Sequence, residues 1–443
     1  MFHITRILFI ALAFGLTSAA CSVEAPETSE TIPVESSGYT RLSVGITGQN
    51  KLTGLDDPIT VIRKEPVSHL LQDLADAPRD SDFIQDKLNQ SDVDLDHLLS
   101  LGLIRKDAGK TYVLNFPYFT IEDHDLLIEK TSPYASALTQ IYVERWAEFQ
   151  SLFEAYDVEG VTDAQLAYAL LGAFSLDWDG LDITANGNYR TTADNMPQTF
   201  EFIPWAKETV HEDSLKGLYW GSHNRTVNGI RFTTFGDHAA LPRTGLPDHL
   251  WQINRRIRTT EGWKNGLARK TQRALSPYYQ DPFLKDAGQV LIAIRRGDRL
   301  ARDISATTGL PSGQLASILD YLVSLNYLAW DGNTYQLRVP VFAAEDREMV
   351  QAARTLSNNI IIDHLANEYD NLKDDLSGLT MIEYGTPYEH LCTQIWHYLF
   401  GMTNRKLMEQ GLFPDLYDDG RDFPGFTSFV FSADLMDLAS DER

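Results

Sequence analysis

Apolar residues in this chain fall into two blocks that repeat one pattern about 224 residues apart. Leu98-Leu-Ser-Leu-Gly-Leu-Ile104 is matched by Leu322-Val-Ser-Leu-Asn-Tyr-Leu328. A polar turn follows each, at Asp107-Ala-Gly109 and at Asp331-Gly332. Next come Thr111-Tyr-Val-Leu-Asn-Phe-Pro117 and Thr334-Tyr-Gln-Leu-Arg-Val-Pro340, whose alternation predicts strands. Phe119, Glu122 and Asp123 then match Phe342, Glu345 and Asp346. The offset is 224 before the turn and 223 after it.

Beyond this point the apolar period becomes helical. Leu138, Ile141, Tyr142, Phe149, Leu152, Phe153 and Tyr156 predict a helix over about 134–156. Ile362, Leu365, Tyr369, Leu372 and Leu376 predict its counterpart over about 346–376. A second helix starts in each block with a capping box, Thr162-Asp-Ala-Gln165 and Thr386-Pro-Tyr-Glu389. The second box has Pro387 at the first helical position. A collinear series of this kind reads as duplication of a structural unit.

Leu300 to Leu310 reads as a helix ending in a tight turn at Gly309, and 311–322 as a second helix. With two strands after them, they resemble the winged helix-turn-helix domains of bacterial repressors. The resemblance covers about 60 residues in each repeat, and the first copy lacks the turn glycine. Between the repeats, 178–285 holds Trp178, Trp205, Trp220, Trp251 and Trp263. Within it, Gly229-Ile-Arg-Phe-Thr-Thr-Phe235 alternates like Gly425-Phe-Thr-Ser-Phe-Val-Phe431, so the two read as corresponding elements.

The fold class expected is α+β and mostly helical. It comprises two winged-helix-like repeats, each followed by a helical hairpin, with the Trp-rich segment between them. The boundaries are a signal peptide at 1–20, a disordered tether at 21–50, repeats at 51–177 and 286–443, and the mixed segment at 178–285.

Composition adds a location. Arg6, an apolar run from Ile7 and small residues at Ser18-Ala-Ala20 precede Cys21. The run is shorter than the ~20 residues that span a bilayer. The pattern resembles the lipobox of bacterial lipoproteins. That resemblance implies cleavage before Cys21, lipidation of its thiol, and a place in the cell envelope on the periplasmic side. Ser22 in place of Asp favours the outer over the inner membrane. Ser, Thr, Pro and Glu dominate after Cys21, too polar for a core. Formal net charge is −24, which repels nucleic-acid phosphates. Asp92, Asp94 and Asp96 stand where the first recognition helix would meet DNA, so nucleic acid is not an expected partner. The one other cysteine, Cys392, sits among Leu391, Ile395 and Leu399 and reads as packing.

Chemistry is sparse. The stretch 243–302 carries 13 Lys or Arg against 5 acids, a local balance of +8, and includes Arg255, Arg256 and Arg258. It could hold an acidic partner or an anionic glycan, or pair within the chain. Trp178 and Trp220 are offered with those three arginines as binding residues. His390, Gln394 and His397 share a helix face but lack a third metal ligand. Asp177-Trp-Asp179-Gly-Leu-Asp182 departs from calcium-loop spacing and reads as a turn. No motif calls for a cofactor or a metal.

The expected function is a lipid-anchored extracytoplasmic scaffold or protein-interaction module, with a groove at the junction of the repeats. An envelope enzyme or binder acting on glycan or peptide is the alternative. It predicts a pocket where several of Asp177, Asp179, Asp182, His223 and His238 converge. A DNA-binding regulator comes last.

Overall fold

Twelve strands occur among the described residues of the computed structural model, which are 38–48, 51–193, 202–209, 220–237, 281–324, 326–417 and 426–435. They are β1 (Arg41–Gly48), β2 (Arg79–Asp80), β3 (Ile104–Lys106), β4 (Thr111–Leu114), β5 (Tyr118–Phe119) and β6 (Phe202–Thr209). Then follow β7 (Trp220–Val227), β8 (Ile230–Asp237), β9 (Leu328–Trp330), β10 (Tyr335–Leu337), β11 (Val341–Phe342) and β12 (Phe426–Phe431). The fold class is α+β and mostly helical.

The two blocks of the sequence build the same local frame. Helices Ser81–Leu88 and Leu95–Ser100 precede the β3–β4 hairpin, and helices Ala301–Thr308 and Ser312–Ser324 precede β9–β10. Gly309 ends its helix at φ +70°, where a side chain is disfavoured. Gly102 and Asn326 turn the chain into the two hairpins, both at positive φ. Each hairpin is followed by a two-residue strand that pairs in parallel with a distant one. Tyr118 of β5 lies opposite Ala206 of β6, and Val341 of β11 lies opposite Val430 of β12.

These pairings correct one expectation. Gly229–Phe235 and Gly425–Phe431 do not hold corresponding places; β8 and β12 are antiparallel neighbours, with Phe232 opposite Val430. The strand in the place of β12 within the first block is β6. Alternation specifies a pleated, half-buried strand but not its partner.

Part of the segment expected as a disordered tether is a strand. Leu42, Val44 and Ile46 alternate along β1, which pairs with β6 over its whole length. The segment expected to be a signal peptide, Cys21 and the expected tether up to 37 lie outside the described residues.

The first long helix runs over Ile121–Glu144, earlier than predicted, because Thr120 and Asp123 form a capping box there. A shorter helix, Trp146–Phe153, continues it. The second long helix is Arg347–Asp375. An inner helix begins at Asp163, capped by Thr162 and Gln165, and passes through a π-helical stretch, Tyr168–Asp179, to Gly180–Asn186. Asp177 to Asp182 is therefore helical rather than a turn, and the boundary expected at 177/178 falls inside a continuous helix. The other inner helix is Tyr388–Glu409. Its predicted capping box does not form. Pro387 sits at ψ 137°, outside the helical region, and Glu389 is drawn to Lys373 at 2.6 Å.

Each long helix packs on the inner helix of the opposite block: Ile121–Glu144 on Tyr388–Glu409, and Arg347–Asp375 on Tyr168–Asp179. The inner helices also meet each other. A Cβ on Gly180 would come within 2.5 Å of the Trp396 ring, and one on Gly172 within 3.3 Å of Asn404. The blocks thus interlock around one apolar core that draws on both. A second core, with Leu291, Ile318 and Leu322, lies under β9–β10. Among the described residues no helix is long and apolar enough to cross a membrane.

Candidate functional site

A cavity of about 560 Å³ opens between the β9–β10 hairpin and the loop that enters the first inner helix. Two local devices set that loop against the hairpin. Gly160 stands at φ +93°, and a Cβ there would collide with the Leu337 carbonyl oxygen, so only glycine permits the approach. Gln165, the third residue of the capping box, donates from Nε2 to the Arg338 carbonyl at 2.7 Å. The floor is Leu328 and Ala329 of β9. Val323 and Trp330 stand at the rim, 36% and 45% exposed. The Trp330 ring packs on Tyr335 with 4.4 Å between centroids.

The register of β9 matters here. Arg338 donates its amide to the Tyr327 carbonyl at 2.8 Å, and Asp331 donates to Thr334 at 3.3 Å. By alternation, the amides and carbonyls of Leu328 and Trp330 face away from β10. Among the described residues no strand lies on that side.

The charges are few. Arg338 lines the cavity and is exposed. Asp331, next to Trp330, accepts from the Asn333 amide at 2.8 Å and from the Thr334 amide at 2.7 Å. Hydrogen bonds from Thr334, then from Asn333, hold its carboxyl below the usual range, so it is ionised at neutral pH.

The first block has the same frame with a different filling. Position 105 lies on β3 as position 329 lies on β9, 224 residues apart. Arg105 reaches from β3 to the loop before the second inner helix and donates to the Tyr384 carbonyl. Gly385 gives that loop its turn at φ +81°. Asp107 stands 3.8 Å from the Arg105 guanidinium. In the second block Ala329 stands at the place of that long side chain in sequence, and it lines the cavity.

Among the described residues, those of the alternative enzyme reading do not line the cavity. Asp179 is 5% exposed and accepts from Arg354 Nε at 3.0 Å and Nη2 at 2.6 Å. Asn358 adds a third bond at 2.8 Å. This bidentate pair ties the second long helix to the π-helical stretch. Asp177 is also buried, at 4% exposure. His238 and the side chain of His223 lie outside the described residues.

The offered binding residues fare no better. Trp178 is buried and donates to Ser222 at 2.6 Å, with Phe174 4.6 Å away. Trp220 is buried among Tyr168 and Phe235. Both are core residues, closed to a ligand from solvent. The tryptophan count in the sequence cannot separate a core ring from a rim ring, which is why Trp330 was missed. Arg255, Arg256 and Arg258 lie outside the described residues. The described end of the basic stretch pairs within the chain, Arg295 with buried Asp346 and Arg299 with Glu159 at 2.6 Å.

Three further ionisable groups are enclosed. Lys207, 3% exposed, lies among the rings of Tyr398, Trp205 and Phe119, and burial lowers its ammonium to about 7. His397 is held down to about 4, chiefly by burial, and its Nδ1 lies 2.7 Å from the Thr393 carbonyl. Burial pushes the Cys392 thiol up to about 12, which makes it inert at neutral pH.

No protein-family profile, curated protein or solved structure matches this chain.

Proposed function

We propose that the protein is a lipid-anchored extracytoplasmic interaction module, built of two winged-helix-like repeats, that docks a protein partner in the groove beside β9. Its lipid is on Cys21, its place is the periplasmic side of the envelope, preferably at the outer membrane, and residues up to about 37 are its leash. The observation that carries the docking reading is the groove itself. It lies at the junction of the two blocks, exposes Trp330 and Val323, and gathers no set of titratable groups among the described residues. Such a rim favours protein contact over catalysis. The outward main-chain groups of Leu328 and Trp330 support docking of an extended segment along the strand edge. Net charge −24 and Asp92, Asp94 and Asp96 argue against nucleic acid.

Palmitate labelling of wild type against Cys21→Ala tests the anchor. The variant loses the label; equal labelling of both overturns it. A photo-crosslinker at position 330, used in the living cell, tests the groove. One discrete protein adduct is expected, abolished by Ala329→Arg and absent with the crosslinker at Ile362, an equally exposed helix residue. The same adducts from both positions would refute docking at the groove.

A further inference from the structure

We infer that the groove over Ala329 receives an arginine side chain from the protein partner, the group that Arg105 supplies from within the chain at the corresponding place. The inference rests on the docking reading and names the chemistry of that same site.

The first block shows what this frame accommodates. There a guanidinium lies along the hairpin, donates to the Tyr384 carbonyl and has Asp107 3.8 Å away. One acceptor recurs in the second block at an offset of 224: the Asp331 carboxylate stands for that of Asp107. At the same offset Gly160, in the first block, takes the position of Tyr384, but at φ +93° where Tyr384 has φ −80°. What is missing is the side chain: Ala329 ends at Cβ.

The substitution beside it points the same way. Lys106 in the first block becomes Trp330 in the second. A cation that would repel a second guanidinium is replaced by a ring that attracts one through its π face. Arginine suits the site better than lysine, because its planar fork can bond a carboxylate such as that of Asp331 while its plane lies on an indole. The chain's charge of −24 draws a cationic partner toward it. Arg338 opposes this, since it lines the same groove. A carboxylate-bearing partner would use Arg338 instead, and the test includes that outcome.

The test is 19F NMR of the full chain labelled with 5-fluorotryptophan, the Trp330 signal being assigned with Trp330→Phe. The probes are acetyl-Gly-Arg-Gly-amide and the same peptide with Lys or Glu at its centre. The arginine peptide should shift the Trp330 signal saturably, with the lysine peptide weaker by about tenfold. Ala329→Arg should abolish the response, and so should Ala329→Met, which fills the space without charge. Asp331→Asn should weaken it. No response to the arginine peptide overturns the inference, and so does a response that survives both substitutions at Ala329. A response to the glutamate peptide alone overturns the arginine but leaves docking intact. Loss of docking itself is read separately, from a position 330 crosslink that Ala329→Arg does not remove.

Discussion

In the first block the hairpin β3–β4 reaches its neighbouring loop through Arg105, whose guanidinium closes the space between them. In the second block β9–β10 meets the loop at Gly160, where a Cβ would collide with the Leu337 carbonyl, and a cavity of about 560 Å³ lined in part by Ala329 lies beside Trp330, which is 45% exposed. Gly102 and Asn326 turn the chain into the two hairpins at positive φ, 224 residues apart, whereas the loop glycines Gly160 and Gly385 stand one position out of that register. The side chains that project from the hairpins differ as well. Shortening one residue on a rigid frame creates a recess without disturbing the fold, because strand pairing, caps and turn glycines hold the walls.

The same contrast runs through the interlocked helices, where it can be broken hardest. Asp179 carries a buried bidentate pair with Arg354, whereas its counterpart Thr403 only bonds back to the Leu399 carbonyl at 2.8 Å. Asp179→Ala should cost ~3–5 kcal/mol, because it leaves the Arg354 charge buried without its carboxylate. Thr403→Ala should cost only ~1 kcal/mol. Urea midpoints of the two variants measure the difference, and equal midpoints would mean that the pair contributes nothing special.

His397 against its counterpart Ala173 gives a difference that depends on pH. The folded-state value of about 4 lies below the ordinary 6.5. Between these, the unfolded chain takes up a proton that the folded chain refuses. The contribution is thus fully present above pH 6.5 and lost as pH falls through 4, a change on the order of 3 kcal/mol. His397→Leu should flatten the stability profile between pH 7 and pH 4.5 relative to wild type. Parallel profiles would remove His397 from the account.

A smaller effect sharpens the geometry. Gly180→Ala drives a Cβ to 2.5 Å from the Trp396 ring, whereas Gly172→Ala brings one only to 3.3 Å from Asn404. The first should cost ~1–3 kcal/mol through overpacking, and the second less. Thermal melting of both should keep that order. Smallest of all, Arg105→Ala should cost about 1 kcal/mol, since its bond is charged but partly exposed. It should also open a second recess, visible as a new cavity in a crystal structure of the variant.

Much of this frame was legible in the sequence, and for a physical reason. Repeated apolar periods marked both hairpins and both long helices, because burial of one face must recur where a unit recurs. The Thr162 capping box was read correctly, since its hydrogen bonds are local. The Thr386 box failed because Glu389 found a distant partner in Lys373, and no local pattern reports a tertiary contact. The interlocking of the blocks was hidden in the same way. Gly172 and Gly180 mark a close helix crossing only once Trp396 and Asn404 are seen across from them. The groove was anticipated as a place, the junction of the repeats, but not by its residues. The signal was present as Ala329 aligned with Arg105, a missing side chain rather than a motif. Trp178 and Trp220 drew attention instead because large aromatic residues are conspicuous, although most such rings are core.

The central claim, that the recess over Ala329 is the vacant place of an arginine and a binding site, is tested most directly by moving it. In a chain carrying Arg105→Ala, Lys106→Trp and Ala329→Arg, the arginine peptide should shift the fluorotryptophan signal at position 106 and leave that of Trp330 unchanged. A response that stays at Trp330, or that appears at neither position, would contradict the account.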